Sequence, residues 1–473
     1  MAHTELVQIA DERYVMSPRT KMWIGVLIIV GIVLTTAGIF MHKSGAGHHE
    51  TNTTVVEEHG GHHGDAHATK AATAAHDNHA EETHNEGNAA ATEGHGHEAA
   101  SAHHADVPWT ARLWSNLLIN SWFFFLLAVI GTFFIAVNRL ANAGWSAGLM
   151  RIPEAMGTFL PFALVLLLIP IAFGAQDLYH WMHEGITDKA SEHYDAIIDG
   201  KSGFLNSGML YGATIGFSVI FILFTMAIRK QSLKEDEAEA GELKHFKKSI
   251  RYSAQFTFLF AFLFSILSWL VVMSVDVHWF STIFSVYNFA TGFVSGIAVM
   301  TLTVVFLKSQ GYLSFINEDV MHDLGKYMFA FSIFWTYIWL SQYLLIWYAN
   351  IPEEVTYYTA RFNGPYSFHF WTNIALCFFF PFIWFMTRNN KRKPMPLVIG
   401  AVVILVGHWS DVYMMVTPGV MQETGSIGLL EIGMPMIFTG LFMYVLLTSL
   451  SKANLFPKNH PYLQETVHHD VGA

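Results

Sequence analysis

Ten stretches of roughly 20 predominantly apolar residues, the length a helix needs to cross a bilayer's hydrocarbon core, recur along the chain at 22–41, 116–138, 154–175, 207–228, 252–274, 283–307, 327–348, 366–387, 396–415 and 429–450. In lipid each spanning helix must satisfy its own backbone N–H and C=O groups, so this pattern predicts an all-α polytopic membrane protein. Composition agrees: 52% of residues are hydrophobic, 13% are charged, and 39 Phe, 17 Tyr and 14 Trp suit packed membrane helices with aromatic belts. An even number of spans puts both termini on one side. Lys and Arg concentrate in cytoplasmic loops, and with the N-terminus inside, 20 of the 26 fall on inner segments, chiefly Arg229 to Arg251 and Arg388 to Lys393. The expected order is a cytoplasmic N-terminus at 1–21, an uncleaved transmembrane anchor at 22–41, an external loop at 42–115, a nine-helix membrane domain at 116–450 and a cytoplasmic tail at 451–473.

The external loop differs in kind. From His42 to His104 it consists mainly of Ala, Gly, Thr, Glu and His, holds 14 of the 26 histidines and contains no aromatic residue. Too little apolar surface is available there to fold, so a disordered external segment is expected. The pairs His48-His49, His62-His63 and His103-His104 could hold a divalent metal weakly, or the segment could be a solvated tether; no fixed ligand spacing decides between them. The single cysteine, Cys377, excludes an internal disulfide, a cysteine-ligated iron–sulfur cluster and a Cys-x-x-Cys-His haem site within this chain. No resident cofactor is expected, and nothing in the charge pattern supports nucleic-acid binding.

Ionisable groups inside spans are costly and are the first place to look for function. His408 and Asp411 stand three residues apart on the ninth span, sharing a helix face, and Glu431 opens the tenth. Asp177, His180, His278 and His369 gather with Asp276 toward the outer surface. Carboxylates beside imidazoles are equipment for moving protons, since burial and neighbours readily tune both. The competing reading is a set of wet helix ends and one structural hydrogen-bonded pair. A proton- or metal-ion-coupled secondary transporter is the alternative function, although no internal repeat with matched helix breaks is visible.

Several long strings are more particular: Ser274-Val-Asp276-Val-His-Trp279 running on to Phe284, His322-Asp-Leu-Gly-Lys326 leading to Phe334-Trp-Thr-Tyr337, Ser341-Gln-Tyr343 on to Tyr348 and Glu354, and Gly407-His-Trp-Ser-Asp411. Together they resemble the polysulfide-reductase-like (NrfD-like) membrane subunits of alternative complex III, a bacterial quinol:electron-acceptor oxidoreductase. The run Gly407 to Tyr413, with Pro418-Gly419 and Leu430-Glu431-Ile-Gly433, is similar to the F-type subunit. The resemblance covers roughly residues 110–455. It implies two four-helix bundles, the second to fifth and sixth to ninth spans, with peripheral helices at each end. It also implies residence in the bacterial inner membrane and partners that carry the redox chemistry: a C-type sibling, an iron–sulfur subunit, c-type cytochrome subunits bearing haem c, and a terminal cytochrome c oxidase. The chain itself would be a scaffold with a proton pathway or a quinone pocket. Pathway candidates are Asp276, His408, Asp411 and Glu431 from the outer side, with Glu154 and Asp323 giving access from the inner side.

Overall fold

The computed structural model describes residues 10–49, 107–239 and 241–470. His62, His63, His103 and His104 lie outside these residues, as do the side chains of His48 and His49. All ten apolar stretches are helical: α1 Pro18–His49, α2 Trp109–Leu140, α3 Arg151–Phe173, α4 Ser207–Glu237, α5 Lys244–Val271, α6 Phe284–Ser309, α7 Glu318–Ala349, α8 Gly364–Trp384, α9 Pro394–Met421 and α10 Leu429–Ser451. Each is long and apolar enough to cross a bilayer. The protein is an all-α, multi-pass integral membrane protein.

Several helices outrun their apolar cores. Helix α1 continues past 41 to His49, and α2 begins at Trp109 rather than 116. Arg112 sits inside that added first part, where Glu431 neutralises its charge. Helix α3 is interrupted between Gly157 and Leu160. Pro161 lies in the first turn of the second piece, where its missing N–H costs nothing, whereas Pro170 is carried within that piece. Helix α8 contains a wide π-type turn at Ala375–Phe379.

Helices α2 to α5 pack in a closed ring, each against the next and α5 back against α2; α6 to α9 form a second ring in the same way. The expectation of two four-helix bundles holds. Helix α2 is almost wholly enclosed, because α6, α9 and α10 cover the faces its own bundle leaves open. Trp122 of α2 donates to Asn288 of α6 at 2.8 Å across the junction. Helix α10 leans on α2 and α3 and carries α1 along its outer side. Close approach there depends on absent side chains: a Cβ on Gly31 would stand 2.8 Å from the Gly433 carbonyl, and one on Gly433 would stand 2.6 Å from Thr35 Oγ1.

The segment before α1 meets the segment after α10. Leu455 N donates to Glu12 O at 2.8 Å, and Arg13 pairs antiparallel with Asn454. We call this side the terminal face and the opposite side the distal face. Between α7 and α8 the distal face carries an amphipathic helix, Pro352–Phe362.

Candidate functional site: a buried carboxylate in the second bundle

Helix α9 turns His408 and Asp411 into the second bundle, where both are completely buried. Every other helix of that ring sends a donor to the carboxylate. Thr291 Oγ1 of α6 donates to Oδ2 at 2.7 Å, Trp335 Nε1 of α7 to Oδ2 at 2.9 Å and Asn373 Nδ2 of α8 to Oδ1 at 3.0 Å. Tyr287, one turn before Thr291, donates its hydroxyl to Oδ1. Four donors fill the accepting capacity of an ionised carboxylate. Protonation therefore requires one donor to turn away. Tyr287 and Thr291 can do so and then accept by rotating a hydroxyl, and Asn373 by turning its amide over, whereas the Trp335 indole N–H only donates.

His408 stands beside this set. Its Nδ1 is 3.9 Å from Asp411 Oδ2 and 3.8 Å from Cys377 Sγ, and Nε2 has no hydrogen-bond partner among the described residues. Cys377, in the π-turn one turn after Asn373, donates to Asn373 Oδ1 at 3.2 Å. Helices α8 and α9 can come this close because position 407 is glycine; a Cβ there would lie 2.9 Å from Cys377 Sγ.

On the distal side Asp411 opens into a small cavity of about 20 Å³. That is room for one water. Tyr287, Gln342, Tyr358, Arg361, Asn373 and Asp411 are among the residues that line it. Gln342 Oε1 is buried with no partner among the described residues.

Arg361 closes the cavity's distal end. It is 3% exposed and lies flat on the Tyr357 ring, with its guanidinium carbon 3.4 Å from the ring centre. Nε donates to the Met414 carbonyl at 3.0 Å. That carbonyl is free because its helical partner would be residue 418, a proline without an N–H. Nη1 reaches Asp276 Oδ2 at 3.4 Å, in the partly exposed turn between α5 and α6. Trp279 from the same turn packs on Tyr357 with ring centres 3.7 Å apart. Burial pushes the Tyr357 phenol up to about 12 despite the Arg361 charge, so it stays a neutral hydrogen-bonding group.

Asp276, His408 and Asp411 are thus drawn into one connected region. The other sequence candidates go elsewhere. Glu431 is gripped at the distal start of α10 by Arg112, whose Nε and Nη2 donate at 2.6 and 2.8 Å, and by Asn116 and the Gly428 N–H. Glu154 is in the first bundle near the terminal face, 2.7 Å from Arg151, which also pairs with Asp236; Arg139 meets Glu235 at 3.1 Å nearby. Asp323 is at the terminal face between Lys326 and His469.

The outer polar residues do not form a single group. His278 bonds Asp195 at 2.8 Å, with the His180 ring 6.3 Å away, whereas His369 packs near Tyr413. Partial burial and the neighbouring His183 and His278 hold His180 below the usual imidazole range. Burial would raise Asp195, but hydrogen bonds from His278 and from the Ile198 and Ile197 N–H groups bring it below the usual carboxylate range. Asp177 is partly exposed at the distal end of the segment after α3.

Sequence reasoning missed Arg361, Arg112, Asn373, Tyr287 and Gln342 as site residues. A signal existed for one: Pro418, three residues past the expected ninth span, leaves a carbonyl that something must satisfy if the helix runs on. No protein-family model matches the chain, and no curated protein matches it in sequence.

Proposed function

We propose that this chain is the F-type, polysulfide-reductase-like membrane subunit of an alternative-complex-III assembly, and that it moves protons through the second bundle by way of Asp411. One observation carries the reading. The separate strings that resemble that family deliver side chains to Asp411 and its surroundings: Asp276 and Trp279 to the Arg361 clasp, Gln342 to the wall of the small cavity, and Trp335 and His408 to the carboxylate itself.

In this reading quinol oxidation and electron transfer belong to the iron–sulfur, cytochrome and C-type partners, and this chain holds no redox centre. Asp411 takes a proton on the His408 side while Tyr287 or Thr291 turns from donor to acceptor. The proton leaves into the water-sized cavity on the far side of the carboxylate from His408.

The test is an affinity pull-down through the C-terminus in mild detergent, with haem staining and mass spectrometry. Recovery of c-type haem proteins, a large iron–sulfur subunit and a second polysulfide-reductase-like protein supports the assembly. A lone, colourless chain after crosslinking controls would overturn it and bring forward the secondary transporter.

A further inference from the structure

Helices α9 and α10 are consecutive, yet both lean on α2 and leave a groove between them. The groove, about 480 Å³, follows α10 from Glu431 to Leu447, with Leu302 of α6 and Trp409 of α9 on its wall and Phe123 and Leu127 of α2 at its floor. At 1.5 Å per residue that length is about 24 Å, most of the roughly 30 Å hydrocarbon core of a bilayer. The lining is apolar along almost all of it, which suits a hydrocarbon chain.

Its ends differ. At the distal end the polar groups are already engaged: Glu431 by Arg112, Asn116 and Gly428, and Trp409 Nε1 by Asn120 at 3.1 Å. They leave nothing to grip a quinone ring. At the terminal end Phe306 lines the groove and meets the edge of Tyr14, with ring centres 6.3 Å apart. Beside Tyr14 the chain carries Arg13, Arg19 and Lys21, all exposed. These cations, next to Tyr14 or on the first turn of α1, complement an anionic headgroup at the terminal end of an apolar groove.

We propose that this groove holds one acyl chain of an anionic phospholipid, with its phosphate at the terminal face among Arg13, Arg19 and Lys21. The proposal is independent of the respiratory reading. It is tested by native mass spectrometry of the full chain, with dioleoyl phosphatidylglycerol or dioleoyl phosphatidylcholine added to the detergent micelle. One phosphatidylglycerol per chain is expected, retained at least fivefold better than phosphatidylcholine. Thr439→Trp, or Leu302→Trp from the opposite wall should the first fail to fold, fills the groove and should reduce retention at least tenfold. Arg13→Glu with Lys21→Glu should erase the headgroup preference while the groove stays intact. Equal retention of both lipids, retention unchanged by a folded tryptophan variant, or recovery of a quinone in the lipid's place would each overturn the proposal.

Discussion

Arg361 and Asp276 are 85 residues apart in sequence, yet Nη1 of one lies 3.4 Å from Oδ2 of the other. The contact pins the Pro352–Phe362 helix over the mouth of the second bundle. Because Arg361 also holds the Met414 carbonyl and the Tyr357 ring, it joins three elements that no backbone hydrogen bond connects.

Arg361→Ala should therefore lower stability by about 2–3 kcal/mol, the range for losing hydrogen bonds to a buried charged group. Thermal unfolding in detergent measures it. A melting temperature within a degree of the parent protein would mean that the clasp is not a stabilising contact.

Asp411→Asn keeps the volume and removes the titratable oxygen. In the assembled complex, proton-linked turnover should fall at least tenfold with haem content unchanged. Normal proton release accompanying quinol oxidation, in an intact mutant complex, removes Asp411 from the pathway.

The Arg112–Glu431 pair is bidentate and buried. Breaking such a pair from one side costs about 3–5 kcal/mol, because the other charge is stranded. Arg112→Met and Glu431→Gln should each destabilise strongly, and the double variant should recover much of the loss. Strictly additive effects in that double-mutant cycle would show the two residues to be uncoupled.

Cys377 is the sole cysteine and is fully buried, so its alkylation reports opening of the α8–α9 contact. Gly407→Ala puts a methyl 2.9 Å from its sulfur, an overpacking that costs about 1–3 kcal/mol. Maleimide labelling, slow in the parent, should accelerate at least fivefold. An unchanged rate would mean that the helices separate without exposing the thiol.

His460 lies under Phe246 and Tyr462 near the terminal face; burial, with Arg139 and Arg151 nearby, takes its imidazole down to about 3. The folded protein thus resists a proton that the unfolded chain accepts near pH 6.5. Stability should be full above that pH and fall by up to about 1.4 kcal/mol per unit as pH drops from 6.5 toward 3. His460→Gln should flatten that slope between pH 6.5 and 4.5 in denaturant titrations. A slope that persists in the variant assigns it to other groups.

The ten spans and the His408–Asp411 pair were legible in the sequence because hydropathy and a three-residue spacing report a single helix's length and faces. Their partners were not. Tyr287, Asn373 and Gln342 read as ordinary helix residues until the rotation of each helix in the ring is known, and spacing along one helix carries no information about that. Arg112 fell outside the expected second span because its charge ends an apolar window; only the partner Glu431, 319 positions on, makes its burial affordable. Arg361 looked like one more loop cation, since the carbonyl it satisfies belongs to another helix.

The seam between α1 and α10 bears on how the chain is made. Helix α1 finds its principal neighbour only once α10 has been made, and the Glu12–Leu455 bond forms later still. Until then the small-residue face around Gly31 and Thr35 is left to lipid. A nascent chain stalled before α10 would present that face as an open edge.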